Sequence, residues 1–229
     1  MEEIITVKMG DSRAYIVKGT EGSILIDAGN KNKIKKFLRI LRQNRISPGN
    51  IKLIIITHAH FDHVGSLYEI KELTGAKVLI HKKEKKYLAE GFAEIPKGTV
   101  GLTKVFSHVG RRMFPGIGSF TAVTPGIVIS DDYDLSKYGV SGRVISTPGH
   151  TSGSISVHLD TRVAFVGDTL SNKPIEIIYP YYANDEKELI STWARLIQLK
   201  CDIYYPGHGS PISLDELEKV YLKKRSSRQ

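Results

Sequence analysis

The densest group of potential metal ligands in the sequence is a run of three histidines and one aspartate within six positions: His58, His60, Asp62 and His63. It directly follows the apolar run Leu53–Ile56, whose length and β-branched content predict a buried strand. The run would therefore lie on the loop at the carboxyl end of a strand, where open α/β sheets place their sites. Neutral imidazole and carboxylate groups suit divalent cations such as zinc, iron or manganese. Four ligand-type side chains on one short loop predict a metal site.

Three further ligand-type residues stand next to glycine after other predicted strands: His150, Asp168 and His208. Glycine at such a position lets the backbone approach closely and turn sharply. Each of the three is a weak signal alone, because an aspartate after a glycine is usually part of a turn. Four strand ends of one chain that all deliver histidine or aspartate side chains predict a single composite site.

The elements that must position these residues are short apolar segments grouped early and late in the chain. The early strands are predicted at Ile4–Met9, Ala14–Val17, Ser23–Asp27, Leu53–Ile56 and Lys77–Ile80. The late strands are predicted at Ile127–Ile129, Val144–Ser146, Ile155–Leu159, Val163–Val166 and Asp202–Tyr205. Helical spacing predicts helices near residues 34–41, 67–73 and 184–197, with Asn184 as a cap, and Ser213 with Glu216 predicts a capping box for a last helix. This grouping predicts two mixed sheets packed face to face, with helices outside.

Length and composition predict one domain over residues 1–229, since 229 residues with 41% hydrophobic and 25% charged content are ordinary for a globular protein. Residues 91–126 contain seven glycines and three prolines, which predicts an irregular insertion or lid. No apolar stretch approaches the roughly 20 residues of a membrane span. The first residues do not resemble an export signal, and Cys201 is the single cysteine, so we expect a cytoplasmic protein.

The formal net charge of +9 raises the question of an anionic partner. The basic residues are concentrated in the run 82–86 and in the tail 223–225, and neither has the interleaved aromatics of a platform that stacks single strands. A solvated helix face and a frayed tail explain them better. We therefore expect a small-molecule substrate, with no membrane and no nucleic-acid partner. His81 and His108 are expected on the surface, and Tyr179, Tyr181 and Tyr182 are expected to border the site.

The order of these motifs resembles that of the metallo-β-lactamase superfamily. The matching motifs are Asp27 in Leu25-Ile26-Asp27-Ala28-Gly29, the run 58–63, His150, Asp168 and His208. The resemblance extends over residues 4–215 and implies an α+β fold, a four-layer αββα sandwich of two mixed β-sheets with the metal site at one edge. Within the superfamily, residues 147–154 and 167–170 are most similar to the glyoxalase II-type hydrolases.

The resemblance also implies two divalent metal ions, zinc in the first place and iron or manganese as alternatives. One ion would be held by His58, His60 and His150, the other by Asp62, His63 and His208, with Asp168 as the bridge. Asp62 would also be catalytic, because it would orient the attacking water and move its proton. Asp27 matches a structural position that holds the ligand loop by hydrogen bonds.

The resulting expectation is a binuclear metal-dependent hydrolase whose metal-bridging hydroxide cleaves a small thioester, ester or lactone. A mononuclear iron enzyme similar to persulfide dioxygenases, with ligands at His58, His150 and Asp168, is one alternative. A metal-dependent phosphodiesterase or nuclease, suggested by the charge, is the other. Antibiotic hydrolysis is not expected, because Asp168 is present and an export signal is not. Only about 20 residues follow His208, which argues against a glutathione-binding region of the glyoxalase II type.

Overall fold

A computed structural model of the chain describes residues 3–99, 101, 103, 116–172 and 178–226. The first half of the chain builds a six-stranded sheet, with the strands adjacent in chain order. These strands are β1 (Glu3–Lys8), β2 (Arg13–Gly19), β3 (Gly22–Ile26), β4 (Ile51–Ile55), β5 (Lys77–His81) and β6 (Ile127–Ile129). The sheet is mixed, because β1, β2 and β3 pair antiparallel whereas β3 to β6 pair parallel.

The second half of the chain builds another six-stranded sheet, again in chain order. Its strands are β7 (Tyr133–Asp134), β8 (Gly142–Ser146), β9 (Ile155–Leu159), β10 (Val163–Ser171), β11 (Ile203–His208) and β12 (Ile212–Ser213). Only β10 and β11 pair parallel, and the other neighbours pair antiparallel. Each half of the chain thus forms its own mixed sheet, as the grouping of the apolar segments predicts.

The described helices cover the outer faces of the two sheets. They are α1 (Ile34–Gln43), α2 (Phe61–Val64), α3 (Leu67–Thr74), α4 (Lys85–Glu90), α5 (Glu186–Gln198) and α6 (Leu214–Ser226). The cap of α5 is Asp185 rather than the predicted Asn184, because the Asp185 side chain accepts hydrogen bonds from the amides of Lys187 and Glu188. The capping box of α6 is confirmed, since Ser213 and Glu216 exchange side chain to backbone hydrogen bonds. None of these helices is long and apolar enough to cross a bilayer.

Three apolar layers hold the sandwich together, and strand alternation creates them. On β3, Leu25 packs outward with Phe37 of α1, whereas Ile24 and Ile26 face the layer between the sheets. Trp193 of α5 belongs to the third layer, on the outer face of the second sheet. The predicted αββα sandwich is therefore confirmed.

Tyr15 links the two sheets at the site edge. Its ring lies 5.0 Å from that of Phe165 on β10, measured between centroids, and its hydroxyl donates to the carbonyl of Pro206 on β11 at 2.6 Å. Burial raises the pKa of the Tyr15 hydroxyl, so it remains a neutral donor. This bond fixes the end of β11, which carries His208, against the first sheet.

The predicted insertion at residues 91–126 is only partly within the described residues. Residue 100, residue 102 and residues 104–115, which include His108, lie outside them. The described parts are attached at both ends, by the bridges Phe92–Ser119 and Gly98–Tyr182. That this segment serves as a lid, and that residues 1–229 form a single domain, stay predictions.

Candidate metal centre

The seven predicted ligand residues converge at the edge that carries the ends of β4, β8 and β11 and the irregular part of β10. Potential ligand atoms lie within 4.8 Å of one another in three groups: His58, His60 and His150; His58, His63 and Asp168; Asp62, His63 and His208. The first group is fully buried, whereas Asp62 and His208 of the third are partly exposed. Two compact triads thus lie side by side, one inside and one at the surface of the cleft.

Asp27 organises the loop that carries four of these residues. Its carboxylate accepts hydrogen bonds from the Thr57 amide and hydroxyl, both at 2.9 Å, and from His63 Nδ1 at 2.8 Å. Asp27 adopts a left-handed backbone (φ 59°), which aspartate tolerates better than most residues. The expectation that Asp27 holds the ligand loop through hydrogen bonds is confirmed.

In each histidine of the two triads except His60, Nδ1 makes a hydrogen bond to a group outside the centre, and Nε2 faces the centre. His150 Nδ1 donates to the Tyr182 carbonyl at 2.7 Å, and His208 Nδ1 donates to the Asp11 carbonyl at 3.1 Å. The Thr57 hydroxyl gives its proton to Asp27, so His58 Nδ1 must donate to that oxygen, at 3.0 Å. Outer hydrogen bonds of this kind fix the tautomer of metal-binding histidines.

The inward-facing atoms give a direct test of whether these residues fit a metal. His58 Nε2, His63 Nε2 and Asp168 Oδ1 are buried and make no hydrogen bond of normal geometry, although the last two lie 3.3 Å apart. Buried polar atoms without a partner are costly and rare in proteins. Lone pairs of two imidazoles and a carboxylate that point at a common space are what a divalent cation requires, so the residues fit.

Asp168 lies between the two triads. Its Oδ1 is 3.3 Å from His63 Nε2, and its Oδ2 is 3.7 Å from His150 Nε2 and 3.6 Å from His208 Nε2. The sequence pattern predicted Asp168 just beyond a strand, but β10 continues to Ser171 with register shifts on either side of Gly167. Asp168 is therefore displaced by an irregularity within the strand, a common device for aiming a side chain at a site.

The close packing of this centre requires a glycine at position 207. A Cβ at Gly207 would lie 2.5 Å from Asp168 Oδ1 and 2.5 Å from His63 Cε1. Such distances are far inside van der Waals contact. The glycine before His208 is thus explained by packing, because Gly207 is not among the residues with positive φ.

The electrostatics of the site favour neutral imidazoles inside and ionised carboxylates. Burial and the adjacent imidazoles lower the pKa of His58, and burial with His150 lowers the pKa of His60 to about 3. Burial would raise the pKa of Asp62, but His63 and His208 outweigh it and bring the value to about 2. Burial opposes the charge of His63 as well, yet the nearby carboxylates, Asp168 first, hold its pKa well above normal. The outer triad therefore attracts positive charge.

A cavity of about 510 Å³ opens in front of the centre. His60, Asp62, His150, Asp168 and His208 form its floor. The side walls are mostly apolar or aromatic and include the following six residues: Phe61, Ile95, Pro96, Ile117, Tyr181 and Tyr182. Tyr181 and Tyr182 thus border the site as expected, whereas Tyr179 is buried and packs against Trp193, with ring centroids 5.7 Å apart.

Sequence reasoning missed Glu84, because it lies inside the lysine run 82–86. The four lysines are exposed, as expected, but Glu84 is only 1% exposed. Its Oε2 accepts the amide of Ala59, between the ligands His58 and His60, at 3.0 Å. Burial raises the pKa of Glu84. His81, expected on the surface, is also buried, because it is the last residue of the buried strand β5.

Comparison with known proteins gives a consistent result. Residues 8–208 match the model of the metallo-beta-lactamase superfamily. The chain is 33% identical over 159 residues to a probable metallo-hydrolase of Methanocaldococcus jannaschii, covering 69% of this chain and 67% of that protein. It is 27% identical to the Haemophilus influenzae hydroxyacylglutathione hydrolase GloC, covering 98% and 99% of the two chains.

Two further comparisons concern another named relative and the fold. The bovine acyl-coenzyme A thioesterase MBLAC2 is 27% identical, covering 92% of this chain and 78% of that protein. A metallo-beta-lactamase family protein from Thermus thermophilus superposes with a TM-score of 0.73 at 20% identity, covering 97% of this chain and 79% of that one. The structural likeness supports the same fold.

Proposed function

Because the chain belongs to the metallo-beta-lactamase superfamily, we propose that it is a hydrolase that uses two divalent metal ions to cleave a small thioester, ester or lactone. The observation that carries the proposal is the pair of side-chain triads on either side of Asp168. Relatives named as an acyl-coenzyme A thioesterase and a hydroxyacylglutathione hydrolase support acyl chemistry over other hydrolytic reactions.

The ligand assignment follows the two triads. One ion would be held by His58, His60 and His150, the other by Asp62, His63 and His208, and Asp168 would contact both. Zinc is the first choice for such nitrogen and oxygen donors, with iron or manganese as alternatives. Two divalent ions bound there would supply a water of lowered pKa and polarise the carbonyl oxygen of the substrate.

Asp62 is the residue we assign to proton transfer. It lines the cavity, one of its oxygens lies 3.0 Å from His208 Nε2, and the Ser12 hydroxyl donates to its backbone carbonyl. A pKa of about 2 keeps the Asp62 carboxylate ionised at neutral pH, so it can accept a hydrogen bond from the attacking water. The carboxylate would orient that water towards the carbonyl carbon and take its proton during attack.

The geometry favours the hydrolase over the two alternatives. A mononuclear dioxygenase-like site at His58, His150 and Asp168 would leave the outer triad without a role, although that triad is equally compact. A nuclease would require cations near the centre, and no lysine or arginine lines the cavity among the described residues. We therefore propose a small-molecule substrate rather than a nucleic acid, and the single cysteine, Cys201, supports a reducing compartment such as the cytoplasm.

The test combines metal stoichiometry with activity. Chelator-treated protein titrated with zinc against a chromophoric competitor should take up two equivalents per chain and then hydrolyse members of a thioester, ester and lactone panel. Asp62→Ala should remove nearly all hydrolysis while circular dichroism stays unchanged, because no core strand depends on that side chain. One equivalent in excess zinc, together with oxygen uptake on persulfides, would contradict the proposal, as would near-normal turnover by Asp62→Ala.

A further inference from the structure

The cavity in front of the centre is chemically divided. The floor carries the imidazoles and carboxylates, whereas the described side walls present rings and aliphatic side chains, with hydroxyl groups on Tyr181, Tyr182, Thr103 and Ser171. Of the wall hydroxyls, that of Thr103 already donates to the Tyr181 carbonyl at 3.0 Å. A polar substrate group in this space would have few partners beyond the floor.

The apolar wall is held rigidly with respect to the centre. The segment that carries Ile95 and Pro96 is joined to the segment 180–183 by three hydrogen bonds: Thr99 amide to Tyr181 carbonyl at 2.8 Å, Thr99 hydroxyl to Pro180 carbonyl at 2.6 Å, and Ala183 amide to Lys97 carbonyl at 2.9 Å. The next carbonyl along, that of Tyr182, accepts His150 Nδ1. Wall and ligand therefore share one hydrogen-bonded unit, which fixes the distance from a bound chain to the reacting carbon.

A second cavity, of about 440 Å³, shares His60 and Ile95 with the main cavity and is more polar. Its lining includes Lys86, Glu90 and Glu94 beside Tyr87 and Phe92. Polar parts of a substrate could thus bind in the second cavity. Ile117, which lines the main cavity and is 44% exposed, would lose contact with water favourably only against an apolar ligand.

From this division we infer that the acyl group of the substrate is an apolar chain of about six to ten carbons, rather than a short or hydroxylated acyl group. The inference rests on the proposed hydrolase function. At roughly 30 Å³ per heavy atom, the liquid volume of a water, the main cavity holds about 17 atoms. The scissile group and the adjoining atoms of the leaving group occupy about half of them.

The test is a series of N-acetylcysteamine thioesters with acyl chains from acetyl to decanoyl, plus 6-hydroxyoctanoyl matched against octanoyl. Each buried methylene should raise kcat/KM about threefold to fourfold, so the six methylenes between acetyl and octanoyl should raise it roughly 700-fold or more if all are buried. The 6-hydroxyoctanoyl thioester should be about tenfold slower than octanoyl, because its hydroxyl, far from the reacting carbonyl, loses water against the apolar wall. Ile117→Ser should flatten the dependence on chain length, whereas Leu222→Ser, at another exposed apolar position on α6, should not.

The outcomes separate the inference from the function. A rate that is flat or falls with chain length, with 6-hydroxyoctanoyl as fast as octanoyl, would overturn the apolar acyl chain and leave the hydrolase intact. Absence of hydrolysis across the whole series, and across the ester and lactone panel, would instead overturn the proposed function.

A second inference stands on Glu84. Its Oε2 accepts a hydrogen bond from the Ala59 amide. Its Oε1 is buried beside Thr151 and Gly153 and makes no hydrogen bond of normal geometry. A Cβ at Gly153 would lie 2.6 Å from Glu84 Cγ. One buried carboxylate thus contacts both the loop that carries His60 and the loop that follows His150.

We propose that Glu84 is a positioning residue that fixes His60 relative to His150. It thereby determines the metal affinity of the inner triad. Zinc competition is the readout. Glu84→Ala should weaken one of the two zinc equivalents about 10- to 100-fold, the range for outer partners of metal ligands, and leave the other unchanged. Glu84→Gln should largely restore affinity, because its amide oxygen still accepts the Ala59 amide.

A second variant guards against simple misfolding. Gly153→Ala places a methyl group against Glu84 without removing the carboxylate, so it should weaken the same single zinc equivalent. Gly126→Ala is the control, because its methyl group would make an ordinary 3.6 Å contact with Lys77, and it should leave both affinities unchanged. Normal affinity at both equivalents in folded Glu84→Ala and Gly153→Ala would overturn the proposal. Equal weakening of both equivalents would do the same, since it would indicate a general structural role.

Discussion

Asp27→Asn separates the role of a buried carboxylate from that of the backbone turn it occupies. Asp27 is 2% exposed and has φ 59°, a conformation that asparagine also tolerates, so the turn survives. The amide can keep one oxygen for the Thr57 amide. Its NH₂ group then faces His63 Nδ1, a donor that loses its acceptor, while the Thr57 hydroxyl keeps only its longer bond of 3.1 Å to Oδ1.

The expected loss of stability follows from these hydrogen bonds. Losing the charge-assisted hydrogen bond from His63, and the shorter of the two from the Thr57 hydroxyl, should lower the free energy of unfolding by about 2–4 kcal/mol. His63 must also move its proton to Nε2, the atom that faces Asp168 at 3.3 Å. A protonated Nε2 cannot bind a cation, so one zinc equivalent should weaken about 10- to 100-fold.

Urea denaturation and zinc competition measure the two effects separately. Asp160→Asn is the matched control, because its carboxylate accepts one hydrogen bond from Ser141 at an exposed position and should change stability by less than about 0.5 kcal/mol. If Asp27→Asn kept both zinc affinities while losing stability, the carboxylate would not be setting the tautomer of His63. That result would refute the reasoning.

Two further predictions follow from close contacts and capping. Gly207→Ala places a methyl group 2.5 Å from Asp168 Oδ1 and should reduce zinc affinity at least about tenfold in the competition assay; unchanged affinity would mean that the loop relaxes freely. Glu216→Ala should destabilise the protein by about 0.5–1 kcal/mol in urea at neutral pH. Hydrogen bonds from Ser213 lower the pKa of Glu216, so its contribution is present at neutral pH and lost as the pH falls through the folded-state pKa. A pH-independent effect would exclude the capping box as its source.

Most of the fold could be predicted, because strand alternation and apolar runs are local signals. The exceptions are instructive. The strand β10 was predicted to end at Val166, since Gly167 reads as a turn, yet parallel pairing resumes at Ser171 opposite His208. The pairing partner is 37 positions away, so local pattern cannot report it. The two-residue strands β7 and β12 are too short to leave a pattern at all.

The residues of the candidate site likewise fall into those that local sequence predicts and those that it does not. The seven ligand-type residues could be predicted from their types, their order and the glycines beside them, because those constraints act along the chain. Glu84 could not, because its neighbours are lysines and its burial depends on Gly153, 69 positions later. The apolar wall was missed for a similar reason, since Ile95 and Ile117 meet only after the chain has folded.

The division of ligands between the two sheets has a consequence for how the protein folds. Each triad takes two members from the first half of the chain and one from the second, His150 in one case and His208 in the other. A fragment that ends after β6 and a fragment that begins at β7 would each lack a complete triad. A cation therefore gains its full set of donors only after both halves have docked, so its binding stabilises the assembled sandwich and no partly folded half. Cleaving the chain between the sheets and recombining the pieces would make metal affinity a direct report of their association.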